Sequence, residues 1–462
     1  MNKRFTIRTN ILILADIVII YAGLLFALYL RLGVEGTMFQ IYERNGLWKN
    51  MLATLVYLTA LYSYDLYDYT VMHNRRELLL RLIQALVSAW VLLAVIFYFV
   101  PSLEIGRGTA VYSIIITMAL LLMQRSWIHY LLGHPEIGEK ILILGDGQMA
   151  IEMAEAVLRR RDAGYRIAGF ITEDFEAIKM RLPEARDLGT VDNLEKIVQK
   201  EKIDRIVIGV RERRGVFPAE PLLRMCLAGN VCIEECTSFL ERVTGKVHLD
   251  LLRPSWLIFS GRGRDTRIKS VFRDVMQRNL ALIGLILSLP IALLTAVLIK
   301  LDSKGAIFYR QERVGKNGRI FEVLKFRSMK TDAEVAGKPT WATFNDDRTT
   351  RIGKIIRKIR VDEIPQFWNI IKGEMSFIGP RPERPHFVSQ LAEEIPFYEH
   401  RHLIAPGLTG WAQIKYPYGA SVEDARQKLQ YDLYYIKNQS FLLDIRIIFE
   451  TIKTILFSKG AR

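Results

Sequence analysis

The sequence has few cysteines, and their number and spacing exclude two common uses of that residue. Only three occur in 462 residues, Cys226, Cys232 and Cys236. An odd number is a poor framework for disulfide bonds, and no second pair stands at the spacing of a zinc site. We therefore expect three free, buried thiols in a reducing compartment.

The chain also lacks the signatures of nucleic-acid recognition, although it is strongly basic. Lys and Arg number 64 against 49 Asp and Glu, which gives a net charge of +15. No helix-turn-helix, RNP or zinc-finger pattern accompanies this charge, so nucleic acid is not an expected partner. Because half of the residues are also apolar, the composition indicates a membrane protein that meets anionic headgroups or phosphorylated ligands.

Long apolar runs dominate residues 1–135. Each is close to the ~20 residues that a helix needs to cross about 30 Å of hydrocarbon. The runs are Ile11–Leu30, Leu47–Tyr64, Leu82–Val100 and Thr109–Leu132. We predict a four-helix transmembrane bundle with cytoplasmic ends, because Lys3, Arg4 and Arg8 precede the first run and Arg75, Arg76 and Arg81 lie between the second and third.

Residues 136–250 alternate between strand and helix patterns. Lys140–Leu144 reads as a buried strand, and Ile167–Ile171 and Ile203–Val210 as two more. This alternation predicts a parallel, Rossmann-like α/β domain. Gly145 and Gly147 form a G-x-G-x-x-A turn between a strand and a helix, which is the context of a nucleotide site. The turn alone is weak evidence of a working nucleotide site, and a structural or regulatory domain without nucleotide is the preferred interpretation.

A basic linker, 251–270, leads to a fifth apolar run, Leu280–Ile299, within residues 271–300. Ser288 and Pro290 stand near its middle, and proline in a helix interior removes a hydrogen bond and kinks the helix. The sequence beyond this run is polar and must stay cytosolic to meet soluble substrates. We therefore predict a re-entrant membrane helix, broken near Ser288 and Pro290, rather than a fifth span.

Residues 301–462 carry dense basic motifs. Alternating polar and apolar positions around 308–329 predict a hairpin that presents Arg313, Lys325 and Arg327 in one region. Three neighbouring cations need an anionic partner, and phosphate or diphosphate fits them because guanidinium groups bind its oxygens in pairs. Arg381, between two prolines in the turn that begins at Gly379, offers a further fixed cation.

Asp362 and Glu363 are the candidate catalytic pair. They follow a helix that is apolar on one side and basic on the other, and Pro365 is suited to open the next helix. A carboxylate at that positive helix end can attack phosphorus and form an acyl phosphate, while a second can hold Mg²⁺. Alternatively, the pair caps the helix and neutralises neighbouring arginines; spacing alone does not separate the two.

The motifs together resemble the bacterial sugar transferases, or polyprenyl-phosphate phosphoglycosyl transferases, over about residues 271–462. The matching segments are Gln311–Gly315, Lys325–Met329, Asp362–Gln366, Gly379–Pro382 and Pro406–Trp411. The preceding spans and α/β domain look like the large, exopolysaccharide-initiating branch. Trp341, Asn345–Arg348 and Gly460–Arg462 are similar to the subgroup associated with exopolysaccharide and exosortase systems. The implied fold is four transmembrane helices, a Rossmann-like domain, and a re-entrant helix with a small α+β catalytic domain at 301–462.

The resemblance implies a two-step phosphosugar transfer. Asp362 would attack a UDP-sugar, release UMP and keep a hexose phosphate, which undecaprenyl phosphate would then accept. Glu363 matches the Mg²⁺-associated carboxylate, and Lys325, Arg327 and Arg381 match phosphate-binding positions. Ser288 and Pro290 match the break of the family's re-entrant helix. Gln277 departs from the pattern, because the family has an acidic residue there.

The resemblance also implies a setting and leaves two alternatives. The setting is the bacterial inner membrane with a cytosolic catalytic domain, where a homo-oligomer and other polysaccharide-assembly proteins are further expected partners. One alternative is a membrane-tethered NAD(P)-dependent sugar-nucleotide enzyme acting through Gly145 and Gly147, although the α/β segment has no Tyr-x-x-x-Lys pair. The other is a polysaccharide-assembly scaffold without catalytic activity, which the intact Asp362–Glu363 pair disfavours.

Overall fold

The computed structural model divides into two compact units, residues 1–244 and 245–462. The described residues are 3–64, 66–67, 75–103, 107–132, 139–145, 147–159, 165–172, 175–209, 219–228, 231–249, 267–330, 348–416, 419 and 421–456. Most of the predicted basic linker, and the Trp341 and Gly460–Arg462 segments, therefore lie outside them.

Four helices open the first unit, one for each predicted apolar run. They are α1 (Lys3–Tyr42), α2 (Gly46–Ser63), α3 (Arg75–Phe99) and α4 (Arg107–Leu132). Among the described residues, three helical segments are long and apolar enough to cross a membrane, and two lie here, Leu12–Tyr42 and Leu78–Phe99. The apolar part of α4, Val111–Trp127, is shorter. The chain is thus a membrane protein with a helical N-terminal region.

A buried ion pair joins the first and last of these helices. Asp16 on α1 accepts a hydrogen bond from NH2 of Arg125 on α4 at 2.6 Å, and both side chains are almost fully inaccessible to solvent. The Arg125 guanidinium also lies over the ring of Tyr67, 5.5 Å from its centroid. Charges are costly inside an apolar bundle unless they are paired, so this contact fixes how α1 and α4 are aligned.

A four-stranded parallel sheet completes the first unit, as the strand and helix alternation predicts. Its elements are β1 (Glu139–Leu144), α5 (Gly147–Arg159), β2 (Tyr165–Ile171), α6 (Phe175–Arg181), α7 (Leu194–Glu201), β3 (Arg205–Ile208), α8 (Ala219–Leu227), β4 (Cys232–Glu235) and α9 (Cys236–Thr244). The strand order is β2-β1-β3-β4. All three cysteines are free as expected, but only Cys236 is buried; the expectation of burial is wrong for Cys226 and Cys232, which are exposed.

The second unit is built on one long helix and two small sheets. Its elements are α10 (Arg267–Asp302), β5 (Phe308–Val314), β6 (Ile320–Phe326), α11 (Arg351–Lys358), α12 (Gln366–Lys372), β7 (Ser376–Ile378), α13 (Pro385–Glu394), β8 (Gly407–Thr409), α14 (Trp411–Lys415), α15 (Val422–Asn438) and α16 (Phe441–Leu456). The predicted hairpin is confirmed, since β5 and β6 pair in antiparallel register from one end to the other. The short strands β7 and β8 pair in parallel.

Helix α10 contains the third segment that is apolar enough to cross a membrane, Arg273–Asp302. It is a single helix with Pro290 inside it, so no break separates its two halves and the re-entrant arrangement stays a prediction. Ser288 donates its hydroxyl hydrogen bond back to the carbonyl of Leu285 at 3.1 Å. The carbonyl that loses its helical donor to Pro290 is that of Ile286, so this bond does not replace the missing one.

One side of α10 packs on the rest of the unit at two places. Ala281, near the middle of the helix, is fully buried in a cluster with Val323 and Ile370. Near its C-terminal end, Ile299 is buried in a cluster with Phe326 and Ile356. The second half of the helix is therefore anchored to the hairpin and to the helices that flank the Asp362–Glu363 pair.

Replacing Asp16 by asparagine tests the buried pair in the first unit. We expect Asp16→Asn to lower the free energy of unfolding by about 3–5 kcal/mol, because it leaves Arg125 charged and unpaired in a buried position. Unfolding of the detergent-solubilised chain measures this. Glu220→Gln is the control, since it breaks an exposed ion pair with Arg224 and should leave stability unchanged. Equal stabilities would contradict the structural role of the Asp16 pair.

Candidate active site

A tight turn between two helices positions Asp362 and Glu363. Helix α11 is capped by Thr350, whose hydroxyl oxygen accepts a hydrogen bond from the amide of Gly353 at 2.9 Å. After α11 the chain reverses at Arg360, which adopts a left-handed backbone conformation with φ 59°. One 3-10 turn, Val361–Glu363, carries both carboxylates, and α12 begins at Gln366, immediately after Pro365. The prediction that the pair precedes a proline-initiated helix is thus confirmed.

Asp362 is buried, and one of its carboxylate oxygens makes no hydrogen bond. The residue is only 7% exposed, and its Oδ1 has no hydrogen-bond partner in the described structure. Burial and the neighbouring Glu363 raise the pKa of Asp362 to about 6, against the opposing effects of Lys325, Arg360 and Arg357. An ionised oxygen without a partner, in a poorly solvated place, is available to a ligand or an electrophile.

Glu363 is surrounded by cations. Its Oε1 lies 3.2 Å from Nζ of Lys325, 3.5 Å from NH1 of Arg360 and 3.7 Å from NH2 of Arg381. Burial raises the pKa of Glu363, but Lys325, Arg381 and Arg360 together outweigh it and lower the pKa to about 2. Glu363 is therefore ionised at any physiological pH, and it gathers three cations beside Asp362.

Arg313 joins the hairpin to the turn that carries Arg381. Its NH1 donates to the carbonyl of Pro382 at 2.9 Å and lies 3.6 Å from a carboxylate oxygen of Glu383. Burial lowers the pKa of Arg313 to about 10 in spite of Glu383. The sequence grouped Arg313 with Lys325 and Arg327. In the structure Arg313 contacts the turn that carries Arg381, and Lys325 and Arg381 are the residues of this region that reach Glu363.

Arg327, which the sequence predicted to bind phosphate, contacts the backbone after α10 and not Glu363. Its NH1 donates to the carbonyl of Lys304 at 3.0 Å, and its NH2 donates to both the carbonyl and the hydroxyl of Ser303 at 2.8 Å. The side chain is buried, at 7% exposure. These acceptors stand on the two residues that follow α10, which ends at Asp302. Arg327 therefore secures the end of α10.

Two buried residues that the sequence did not single out support Arg381. Arg401 donates through NH2 to the carbonyl of Arg381 at 3.1 Å and to Oδ2 of Asp432 at 2.9 Å. Burial raises the pKa of Asp432 to about 6, although Arg401 opposes this. Nothing in the sequence pointed to Arg401 or to its pairing with Asp432.

Gln277 takes part in the same framework. Its side-chain oxygen accepts hydrogen bonds from the hydroxyl of Ser376 at 2.6 Å and from the amide of Phe377 at 3.2 Å. An acceptor is what this position supplies to the start of β7. The amide oxygen fulfils that role without a negative charge, so the departure from the acidic residue does not remove the contact.

Gly145 and Gly147 lie in the first unit, where β1 passes into α5. A Cβ on Gly145 would stand 2.9 Å from the backbone of Gly209 at the end of β3. The order β2-β1-β3-β4 makes the gap between β1 and β3 the point at which connections diverge to opposite sides, which is where parallel sheets bind ligands. The predicted strand–turn–helix is confirmed, and nucleotide binding there stays a prediction.

The described residues contain no group of three or more His, Cys, Asp or Glu side chains that could enclose a metal ion. Mg²⁺ does not require such a cage, because it commonly binds one or two carboxylates and completes its shell with substrate phosphates and water. The ionised Glu363 fits that mode as the one protein carboxylate.

Two family models match different parts of the chain. A model of the bacterial sugar transferase family matches residues 268–458, and a CoA-binding domain model matches 63–211. The chain is 41% identical over 180 residues to the exopolysaccharide production protein PSS of Rhizobium leguminosarum bv. phaseoli, covering 37% of this chain and 88% of that protein. The chain belongs to the bacterial sugar transferase family.

Two longer relatives also match the chain. The UDP-N-acetylgalactosamine-undecaprenyl-phosphate N-acetylgalactosaminephosphotransferase of Aeromonas hydrophila is 41% identical over 285 residues, which is 62% of this chain and 64% of that protein. The undecaprenyl-phosphate glucose phosphotransferase of Komagataeibacter xylinus is 33% identical over 365 residues, which is 74% of this chain and 65% of that protein. The chain therefore spans slightly less than two thirds of the length of these two relatives.

Alanine substitutions distinguish the roles of Arg327 and Arg381. Arg327→Ala is expected to lower the free energy of unfolding by about 2–3 kcal/mol, because the carbonyls of Ser303 and Lys304, just after α10, lose charged donors. Arg381→Ala should leave stability nearly unchanged, since its side chain is 44% exposed, and should weaken the binding of inorganic diphosphate about tenfold or more through the loss of a charged phosphate contact. Thermal unfolding and diphosphate binding of both variants check this. Weaker diphosphate binding by Arg327→Ala at unchanged stability would contradict the assignment.

Proposed function

We propose that this chain transfers a hexose-1-phosphate from a UDP-sugar to undecaprenyl phosphate, as the first membrane step of exopolysaccharide biosynthesis. A carboxylate oxygen of Asp362 attacks the sugar-linked phosphorus, and the bond from that phosphorus to the oxygen bridging the two phosphates breaks. UMP leaves with the bond's electron pair. A phosphate oxygen of undecaprenyl phosphate then attacks the same phosphorus, which releases Asp362 and gives undecaprenyl-diphosphate-sugar.

The free Oδ1 of Asp362 supports this function most directly. A carboxylate that served only to cap a helix or neutralise arginines would have its oxygens engaged by them, whereas this oxygen has no partner in the described structure. The nearby cations contact Glu363 instead, at 3.2–3.7 Å. Glu363 thus absorbs the surrounding positive charge and leaves Asp362 unhindered as a nucleophile.

The cations around Glu363 would bind the diphosphate. Lys325 and Arg381 reach the pair from the hairpin and from the Gly379–Pro382 turn, so they would hold phosphate oxygens on the donor side. Mg²⁺, held by Glu363 with Asp362 close by, would neutralise charge on the diphosphate and stabilise the leaving UMP. Rigid backbone around Arg381 keeps the donor in place while the acceptor replaces UMP.

The relatives' names support the substrate classes. One is named for transfer of N-acetylgalactosamine phosphate and another for transfer of glucose phosphate, both to undecaprenyl phosphate. We propose the same lipid acceptor and a UDP-hexose donor for this chain. The two names differ in the sugar, so UDP-glucose, UDP-galactose and UDP-N-acetylgalactosamine are the donors to test.

The packing of α10 supports a catalytic domain on the cytosolic side of the inner membrane. Ala281 and Ile299 are 18 residues apart, about 27 Å along a helix, and both are buried against the same small domain. If α10 crossed the bilayer, the charged hairpin and helices beside it would lie in hydrocarbon. A helix that enters and leaves on one side, turning near Ser288 and Pro290, avoids this.

The opposite side of α10 supports the same placement. Leu287, Leu294 and Ile286 are 73%, 61% and 60% exposed, which suits contact with lipid. We accordingly assign residues 1–135 to four transmembrane helices, 136–250 to the Rossmann-like domain, 251–270 to a linker, 271–300 to the re-entrant helix and 301–462 to catalysis. Gly145 and Gly147 would bind a nucleotide, and a homo-oligomer and other polysaccharide-assembly proteins would be partners.

Substitution of Asp362 tests the nucleophile. Asp362→Asn is expected to reduce UMP release by at least about a thousandfold, because covalent catalysis loses its attacking oxygen. Wild-type chain incubated with labelled donor alone should retain a hydroxylamine-sensitive sugar phosphate. Asp302→Asn is the matched control, since its oxygen accepts from the amide of Ile352 and an asparagine oxygen can still accept.

The outcomes also separate the alternative functions. Full UMP release by Asp362→Asn would refute the nucleophile. A change in nicotinamide absorbance without UMP would indicate the NAD(P)-dependent sugar-nucleotide enzyme. Neither signal with any of the three donors would indicate a scaffold.

Removal of divalent cations tests the metal. EDTA is expected to abolish UMP release and added Mg²⁺ to restore it, because the diphosphate then loses and regains the cation that neutralises it. Donor turnover before and after dialysis measures this, with thermal unfolding as a control for stability. Undiminished turnover in EDTA would contradict the Mg²⁺ assignment.

A further inference from the structure

Residues 245–249, here the 245–249 segment, lie between the two matched family regions, which end at 211 and begin at 268. The sequence pattern groups them with the α/β domain. In the structure they belong to the second unit, which begins at Gly245. Helix α9 ends at Thr244, so the chain passes directly from the last helix of the first unit into this segment.

The segment is part of the catalytic unit's interior. Val247 and Leu249 are 3% and 5% exposed and belong to the same apolar cluster as Trp411 and Leu433. The amide of Val247 donates to the carbonyl of Gln430 at 3.0 Å. Burial of two aliphatic side chains, with one backbone amide bonded to the same unit, is what distinguishes a docked segment from a passing linker.

Gly245 meets Trp411, the residue that ends the Pro406–Trp411 motif. The indole Nε1 of Trp411 donates to the carbonyl of Gly245 at 2.8 Å. Gly245 has φ +70°, and a Cβ there would stand 3.3 Å from Cζ2 of Trp411. Both the backbone conformation and the close approach therefore require glycine.

A short path of backbone bonds leads from Trp411 to the phosphate-binding turn. Two residues before Trp411, the carbonyl of Thr409 accepts from the amide of Gly379 at 2.9 Å. The amide of Gly407 donates to the carbonyl of Pro380 at 2.9 Å. Arg381, whose side chain reaches Glu363, is the next residue. The backbone that presents Arg381 is thus held by the strand whose far end carries Trp411.

We propose that the 245–249 segment is a positioning element of the transferase site, which holds Trp411 and, through β8 and the Gly379–Pro382 turn, sets Arg381 for phosphate binding. This rests on the proposed function, since the effect is read in donor binding. The segment precedes the matched family region, so the catalytic unit draws part of its core from the chain that connects it to the α/β domain.

Kinetics of Gly245→Ala test the positioning role. We expect this variant to raise the KM for the UDP-sugar about tenfold, the scale of one charge-assisted contact, with kcat changed less than about threefold. Trp411→Phe, which removes the indole N–H, should have an effect of the same direction. In an Arg381→Ala background, Gly245→Ala should add nothing further, because the side chain it positions is gone.

Gly318→Ala is the matched control. Gly318 has φ +77° and open space around its Cβ position, so alanine there carries the same backbone penalty without touching another group. It should leave KM unchanged. Equal KM values for Gly245→Ala and Gly318→Ala, or an undiminished effect of Gly245→Ala in the Arg381→Ala background, would overturn the positioning role.

Hydrogen exchange of the full-length chain tests the docking independently of activity. The peptide covering residues 245–249 should exchange slowly in wild type and in Gly318→Ala, and rapidly in Val247→Asp, because a buried carboxylate would expel the segment. Rapid exchange in wild type would overturn the proposal even if the chain releases UMP. Conversely, absence of UMP with all three donors would refute the proposed function while slow exchange would still support docking.

Discussion

Glu363 balances three cations at one oxygen, and this balance determines what the neighbouring groups can do. Without that carboxylate, Lys325, Arg360 and Arg381 would repel one another in a partly buried place. With it, they converge and retain a surplus of positive charge for an anionic substrate. Asp362 is spared from pairing and keeps a free oxygen. The two adjacent carboxylates thus differ because the cations contact Glu363 and leave Oδ1 of Asp362 unpaired.

The turn that creates this division is strained, and the surrounding fold holds it. Arg360 occupies a left-handed conformation, which costs a non-glycine residue about 1–2 kcal/mol. Helices α11 and α12 on either side are both packed on α10 through Ile356 and Ile370. Because both flanking helices are anchored to the same long helix, the turn between them cannot relax independently. The membrane-associated helix is therefore also the support of the catalytic turn.

Elements that depend on local pattern were predictable from the sequence. The long apolar helices follow from hydropathy, the β5–β6 hairpin from alternation, and the site turn from Pro365 after a basic amphipathic helix. Contacts between distant parts of the chain were not. Arg327 has the same charge as Lys325 two residues earlier, and only the three-dimensional fold brings its guanidinium to the end of α10. Alternation predicts that residues 325 and 327 lie on the same face of a strand, but it does not predict which groups their side chains contact.

The role of Arg401 and the continuity of α10 also depend on the three-dimensional fold, so the sequence did not predict them. Arg401 lies 31 residues before its partner Asp432, and neither position carries a periodic signal that announces the pair. Pro290 reduces helix propensity locally, yet α10 continues through it as one helix. Sequence reasoning therefore singled out the candidate site residues through their motifs and missed the buried residues that hold them in position.

The Asp16–Arg125 contact has a consequence for how the chain is made. The two residues are 109 positions apart, so α1 leaves the ribosome long before its counter-charge exists. During that interval α1 carries an unpaired carboxylate, which is costly in hydrocarbon. The N-terminal region can therefore complete its internal charge pairing only after α4 has been made, and a chain truncated before that helix would keep an unpaired acid.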